Sequence, residues 1–137
     1  MEQARRKHLA IVIIRVFLAA TMVVHGVARI SAGGVAPFGE FLSAQGFPLG
    51  LYLAWAITVF EIAGGIVLAT GYYVPLLASI FAIELIVGIV LVHAKDGWFV
   101  VGLGRNGMEY SVLLIVSFLA IGFAHFGADE SRRRRRR

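Results

Sequence analysis

The sequence predicts an all-α polytopic membrane protein, a bundle of four transmembrane helices with a short amphipathic helix in the first outer loop. Its 137 residues are 59% hydrophobic and only 15% charged, and their mean hydropathy is +0.84. That composition is too apolar for a soluble domain of this length. The apolar residues fall into four runs of roughly 20 residues, each long enough to cross a hydrocarbon core of about 30 Å as a helix.

The four runs and their flanks define the predicted organisation. The predicted spans are residues 9–30, 50–70, 74–93 and 108–126. A single membrane domain, residues 9–127, follows a basic segment at 1–8 and precedes an arginine-rich tail at 128–137. A signal peptide is the alternative for the first run, but Arg15 interrupts that run and no clean cleavage site follows it. We therefore expect an uncleaved helix.

The connections between the runs predict one short helix and one tight turn. Within residues 31–49, Pro37 is expected to start an amphipathic helix and Gly46 to end it. Residues 71–74 are expected to form a tight hairpin, with Pro75 in the first turn of the next helix.

Basic residues predict the orientation and the location of the protein. If both termini are cytoplasmic, the inner side carries the basic residues of segment 1–8 and the arginines at 132–137, whereas the outer side carries Arg29, Lys95 and Arg105. The positive-inside rule favours this orientation, in a bacterial-type cytoplasmic membrane. The arginine tail is expected to be disordered and to contact anionic inner-leaflet lipids, and no nucleic-acid partner is expected.

Every predicted span carries an ionisable side chain, although a charge at the centre of a membrane helix costs roughly 2.5–3.5 kcal/mol on insertion scales. Arg15 lies in the first span, Glu61 and Glu84 lie near the middle of the next two, and Glu109 begins the fourth. The two central glutamates are too deep to reach the headgroups, so each needs a partner, a proton or water. Either they share a proton, or Arg15 forms a structural salt bridge with one of them, which is slightly favoured.

A second polar group is predicted nearer the outer surface. Arg15, His25 and Arg29 lie on one stripe of the first helix. For Arg29 we favour an outward-pointing side chain that reaches the headgroups. By depth, His25, His93 and Glu109 form a mixed-charge outer mouth, and no metal site is predicted there.

Small residues predict close helix packing. Gly64 and Gly65 follow Glu61 by about one turn, and Gly65 forms a small-xxx-small pair with Ala69. The same spacing recurs at Ala78 and Ala82 and at Ala120 and Ala124. Close packing accounts for these residues without a functional role, but it does not account for the glutamates.

Three short motifs occur in order along the chain. They are Arg15-Val-Phe-Leu with His25-Gly26, Glu61-x-x-Gly64-Gly65 with Gly71, and Gly107-Met-Glu109-Tyr110. The set resembles the DoxX family of small integral membrane proteins, over most of the chain.

This resemblance implies four transmembrane helices. It also implies an accessory or quinone-associated role, because family members are linked to quinone-reactive oxidoreductases, such as a thiosulfate:quinone oxidoreductase subunit, and to oxidative-stress complexes. It places Arg15, His25, Glu61 and Glu109 on recurrent polar positions. Glu84 has no clear counterpart, and the closing Gly-x-x-Ser-Leu-Asp pattern of the family is weak here. Quinone is accordingly the one cofactor expected, with a membrane or soluble oxidoreductase as partner.

Three functional hypotheses stay open on the sequence. The leading one is an accessory or quinone-associated subunit of a membrane redox or oxidative-stress system. The others are a small proton-coupled carrier or lipophilic-ligand-binding protein, and a structural assembly factor whose charges only lock helices together. The chain has no cysteine, which excludes thiolate metal sites, iron–sulfur clusters and thiol–disulfide exchange within it. No self-sufficient catalytic constellation is visible, so an enzymatic role extends at most to a subunit of a quinone-linked oxidoreductase.

Overall fold

Five α-helices dominate residues 2–126, the part of the chain that the computed structural model describes. They are α1 (Glu2–Ser31), α2 (Val35–Ala44), α3 (Gly50–Thr70), α4 (Val74–Gly88) and α5 (Glu109–Ala124). A π-helical turn, Ile89–His93, and a 3₁₀ turn, Ala94–Asp96, extend α4. No strand occurs among the described residues. The arginine tail, predicted to be disordered and to contact lipid, lies outside them.

Three of these helices are long and apolar enough to cross a membrane. They are α1, α3 and the extended α4, Val74–Asp96, whereas α5 is apolar but has only 16 residues. The predicted all-α class is confirmed, and this set of helices is compatible with a helical membrane bundle. Helix α1 begins at Glu2 rather than at residue 9, and an exposed ion pair between Arg6 and Glu2, one turn apart, supports this extra length.

The helices form two compact units. Residues 16–70 make the α1–α3 unit, which contains most of α1 together with α2 and α3. Residues 2–15 and 71–126 belong to the α4–α5 unit, which contains the first half of α1 as well.

In the α1–α3 unit, α1 and α3 come close at two glycines. A methyl group on Gly65 would lie 2.7 Å from Val23 Cγ2, and one on Gly26 would lie 3.0 Å from the carbonyl oxygen of Thr58. Because these positions carry no side chain, the two helix backbones approach each other. Gly64 is also buried, but a methyl group there would meet the Phe60 ring of its own helix at 3.0 Å.

Helix α2 packs on the first part of α3. Its buried residues are Val35, Gly39 and Leu42, one face of the helix at spacings of four and three residues. A methyl group on Gly39 would lie 2.7 Å from Leu51 Cα, so the backbones of α2 and α3 touch. This contact fixes where α2 lies on α3.

One predicted end of α2 is wrong and the other is confirmed. The helix begins at Val35 rather than at Pro37, since the first turn of a helix does not need the N–H that proline lacks. At the other end, Gly46 has a φ of +88°, and the Phe47 N–H donates to the Leu42 carbonyl oxygen at 3.1 Å. This is a Schellman ending, as the glycine predicts.

The turn between α3 and α4 is as tight as predicted. Gly71 has a φ of +83°, in the left-handed region that favours glycine, and Tyr73 has a φ of +53°. Pro75 then occupies the first turn of α4.

In the α4–α5 unit, α4 and α5 pack antiparallel. The Phe81 and Phe118 rings stack with their centroids 5.2 Å apart. Further along, a methyl group on Gly122 would lie 3.4 Å from Ala78 Cβ. As predicted, Ala78 is a buried packing residue.

The packing face of α5 differs from the predicted one. Its buried residues are Ser111, Leu114, Phe118, Ile121 and Gly122. Ala120 and Ala124, predicted as a packing pair, are exposed instead. Gly122 supplies the close contact with α4 instead. Ala120 and Ala124 each lie two residues from Gly122 and therefore point away from that face of the helix.

Candidate functional site

Glu61 carries a buried charge in the α1–α3 unit, where only 1% of the residue is exposed. Both of its carboxylate oxygens accept hydrogen bonds from Arg29: Nη2 donates to Oε1 at 2.9 Å, and Nη1 donates to Oε2. Arg29 Nη1 also donates to Thr58 Oγ1 at 2.9 Å. The Thr58 hydroxyl in turn donates to the Ala54 carbonyl oxygen at 2.7 Å. The two opposite charges therefore neutralise each other in a bidentate pair.

The close packing of α1 on α3 brings this pair together. Gly26 lies one turn before Arg29 on α1 and contacts α3 at Thr58 and Glu61. Those two α3 residues are three positions apart and share a face. The expectation that Arg29 points outward is wrong, because its guanidinium turns back to a carboxylate that cannot reach water. In apolar surroundings the attraction between such opposite charges is strong.

Helix α2 covers the Arg29 guanidinium with an aromatic ring. Arg29 Cζ lies 4.7 Å from the centroid of the Phe38 ring, within the range of a cation–π contact. The Arg29 side chain keeps 14% of its surface exposed. Among the described residues, Thr58 and Glu61 accept three of its five N–H groups. The Nε–H and one Nη2–H remain available to an acceptor.

Arg15 makes a second buried polar contact, in the α4–α5 unit. Its Nη1 donates to His125 Nε2 at 2.9 Å, and His125 Nδ1–H donates to the Ile121 carbonyl oxygen at 2.8 Å. These two partners assign a neutral His125 with its proton on Nδ1. A methyl group on Gly71 would lie 2.9 Å from Arg15 Nη1, so the guanidinium fits against that glycine. His125, expected at the membrane interface, is half-buried here.

The two central glutamates belong to different units. Glu61, for which Arg15 was one expected partner, binds Arg29 through both carboxylate oxygens. Glu84 is half-buried on α4 in the same unit as Arg15.

Two residues predicted at an outer mouth hold the same loop, residues 97–108. The Val100 N–H donates to Glu109 Oε1 at 2.8 Å, and His93 Nδ1–H donates to the Asn106 carbonyl oxygen at 2.8 Å. The structure thus brings His93 and Glu109 to the same loop, where each side chain forms a hydrogen bond with the loop backbone. His25, the third predicted member, is exposed on α1 in the other unit.

Several contributing residues were not predicted. Thr58 could have been found, since it precedes Glu61 by three residues and shares its helix face. Phe38 gives no such signal, because its position over Arg29 depends on how α2 sits on α3. Within residues 2–126, no group of three or more His, Cys, Asp or Glu is arranged to hold a metal ion.

The comparisons with known proteins give one match. The family model described as DoxX matches residues 10–94, more than half of the chain. The matched segment contains Arg15, Arg29 and Glu61 and ends before α5. Neither the curated proteins nor the solved structures contain a match to the chain.

Proposed function

Since the chain belongs to the DoxX family, we propose that it is an accessory membrane subunit that binds a quinone for a redox or oxidative-stress system. One observation supports this proposal above the others. The Arg29 guanidinium, neutralised by Glu61, lies against the Phe38 ring and keeps hydrogen-bond donors for a ligand.

These groups fit the chemistry of a quinone head. A quinone head is a planar ring whose carbonyl oxygens accept hydrogen bonds, and its apolar tail dissolves in lipid. A free N–H of Arg29 would donate to one carbonyl oxygen, and the Phe38 ring would stack on the quinone ring. The few polar groups of such a site fix the orientation of a largely apolar ligand.

Neutralisation of Arg29 matters for the choice of ligand. An unpaired guanidinium in an apolar site would favour an anion, because burying a lone cation is costly. With Glu61 bound to it, the site carries no net charge and suits a neutral ligand.

Electrons would come from a partner, since the chain has no cysteine for a thiol couple or an iron–sulfur cluster. The proposal therefore includes a membrane or soluble oxidoreductase as partner. It also includes a cytoplasmic membrane location with both termini inside, where the arginines at 132–137 contact anionic lipids.

The test is a quinone titration that uses Trp55 as the reporter. Trp55 lies on α3 one turn before Thr58, and the chain has only one other tryptophan, Trp98. In a Trp98→Phe background in nanodiscs, a short-chain quinone should quench Trp55 fluorescence with a saturable component. Phe38→Leu should weaken that component about twofold to thirteenfold, since aromatic stacking contributes about 0.5–1.5 kcal/mol.

Phe41→Leu is the matched control, because Phe41 lies on the same helix and is likewise half-buried, whereas the ring over Arg29 is that of Phe38. It should leave quinone affinity unchanged. Quenching that never saturates in the parent protein, or an equal loss of affinity in Phe38→Leu and Phe41→Leu, would contradict the proposal.

The same geometry bears on the alternatives. A proton carrier based on Glu61 would have to give up the bidentate ion pair with Arg29 for each proton that it takes up. A structural factor would use the pair only to lock α1 to α3. In that case Phe38→Leu, which leaves the pair intact, would change neither quinone binding nor any partner-dependent activity.

A further inference from the structure

Helix α5 is too short to cross a membrane alone. Its 16 residues span about 24 Å at 1.5 Å per residue, less than a hydrocarbon core of about 30 Å. Its antiparallel neighbour, the extended α4 over Val74–Asp96, has 23 residues and spans about 34 Å. The length that α5 lacks must be supplied by the chain next to its first turn.

The loop of residues 97–108 lies where that length is missing. Contacts between α4 and α5 run in register from Ala78 opposite Gly122 to Phe81 opposite Phe118. The register continues to His93, whose ring donates to the carbonyl oxygen of Asn106 in the loop. The loop is therefore level with the last turns of the extended α4.

The two ends of this loop are hydrogen-bonded to each other. The N–H groups of Gly107 and Glu109 donate to the carbonyl oxygens of Phe99 and Trp98, at 3.1 and 3.0 Å. The Val100 N–H donates to the Glu109 carboxylate at 2.8 Å. These bonds close the base of the loop, so residues 101–105 project from it as a tip.

Four apolar side chains of the loop are exposed. Their exposed fractions are 49% at Trp98, 40% at Phe99, 77% at Val101 and 86% at Leu103. Two exposed basic residues, Lys95 and Arg105, flank them. Tryptophan beside apolar tips and flanking cations is the composition found where a protein meets the headgroup region of a bilayer.

We infer that residues 97–108 form an anchor in the membrane interface. Val101 and Leu103 insert into the acyl boundary of the adjacent leaflet, Trp98 lies at headgroup level, and Arg105 faces the lipid phosphates. Glu109 is a positioning residue, because its carboxylate holds the loop backbone in this shape. The inference depends on the helices spanning a membrane and not on quinone binding.

The test uses the absence of cysteine, which makes any introduced thiol unique. Leu103→Cys and, as the matched control in the same loop, Arg105→Cys are placed in phosphatidylcholine nanodiscs, whose two faces are both open to water. A charged, membrane-impermeant maleimide is added, and each rate is divided by the rate of the same variant in SDS. Leu103→Cys should react at least about tenfold more slowly than Arg105→Cys, because burial of the remaining Val101 side chain alone biases the loop toward the membrane by about that factor or more.

A second readout uses Trp98 as the only tryptophan, in a Trp55→Phe background. Brominated phosphatidylcholine should quench Trp98 strongly and aqueous iodide weakly. Equal maleimide rates at the two positions, together with iodide quenching and no bromolipid quenching, would overturn the inference. That outcome would show a loop in water whose apolar tips are open to a protein partner instead.

Discussion

Glu61 brings a full charge into an apolar contact between two helices, and Arg29 neutralises it at bonding distance. The bidentate geometry uses both carboxylate oxygens, and Thr58 supplies a further acceptor for the guanidinium. Removing one partner leaves the other as an unpaired buried charge, which costs more than removing both.

Arg29→Leu alone should therefore lower the free energy of unfolding by about 3–5 kcal/mol, and Glu61→Leu should do the same. The double variant should recover most of the loss, because neither charge is then unpaired. Thermal or denaturant unfolding in detergent, followed by circular dichroism, measures these values. Lys95→Leu, which removes an exposed cation, is the control and should change stability by no more than about 0.5 kcal/mol. Losses that simply add in the double variant would show that Arg29 and Glu61 are not coupled.

Residue patterns predicted which groups are unusual but not which groups pair. The depth of Glu61 in its span was enough to predict that it needs a partner. On the sequence alone, Arg15 is the favoured partner and Arg29 is expected to point outward. The spacing of the two arginines on α1 does not report the register of α1 on α3, which decides which guanidinium reaches the carboxylate of Glu61. That register follows from two close contacts that only the packed structure shows. Gly26 of α1 faces α3, and Gly65 of α3 faces α1.

At the scale of helices, close contact between α1 and α3 is the condition for the Arg29–Glu61 pair. Gly65 faces α1 at Val23 and the carbonyl oxygen of Ala19, the latter only 3.0 Å from where a methyl group would lie. A backbone atom cannot move aside as a side chain can, so even alanine at position 65 must push the helices apart.

Gly65→Ala should accordingly destabilise the protein by about 1–3 kcal/mol. Gly88→Ala is its matched control: Gly88 has helical dihedral angles near the end of α4, and a methyl group there would meet nothing within 4 Å. That control should be neutral or stabilising by up to about 1 kcal/mol, as expected for glycine to alanine in a helix. Unfolding in detergent compares the two variants. Equal changes in the free energy of unfolding would mean that the close contact of α1 with α3 does not contribute to stability.

The lengths and types of the helices were largely predictable from the sequence, because apolar runs and terminal glycines report them locally. Helix α3 has the predicted bounds, and Gly46 ends α2 as its conformational freedom suggests. The position of α2 was not predictable. It depends on the contact of Gly39 with the Leu51 backbone, a tertiary feature with no periodic signal in a ten-residue helix.

At the scale of the whole chain, the ionisable residues of the spans divide between two units. The α1–α3 unit contains Arg29 and Glu61, bound to each other under the Phe38 ring. The α4–α5 unit contains Arg15, bound to His125, and Glu109, which binds the loop before its own helix. The first of these arrangements combines a neutralised charge, an aromatic ring and N–H groups that can still donate, and the proposed quinone site is placed there for that reason.

The most direct test of that placement is photolabelling with an azidoquinone. The full chain in nanodiscs is irradiated with the probe, with and without excess unlabelled quinone, and the labelled peptides are mapped by mass spectrometry. We predict labels on α2 and on the first half of α3 that excess quinone abolishes. Labels confined to other helices, or labels on α2 and α3 that excess quinone leaves unchanged, would contradict a quinone site at Arg29 and Phe38.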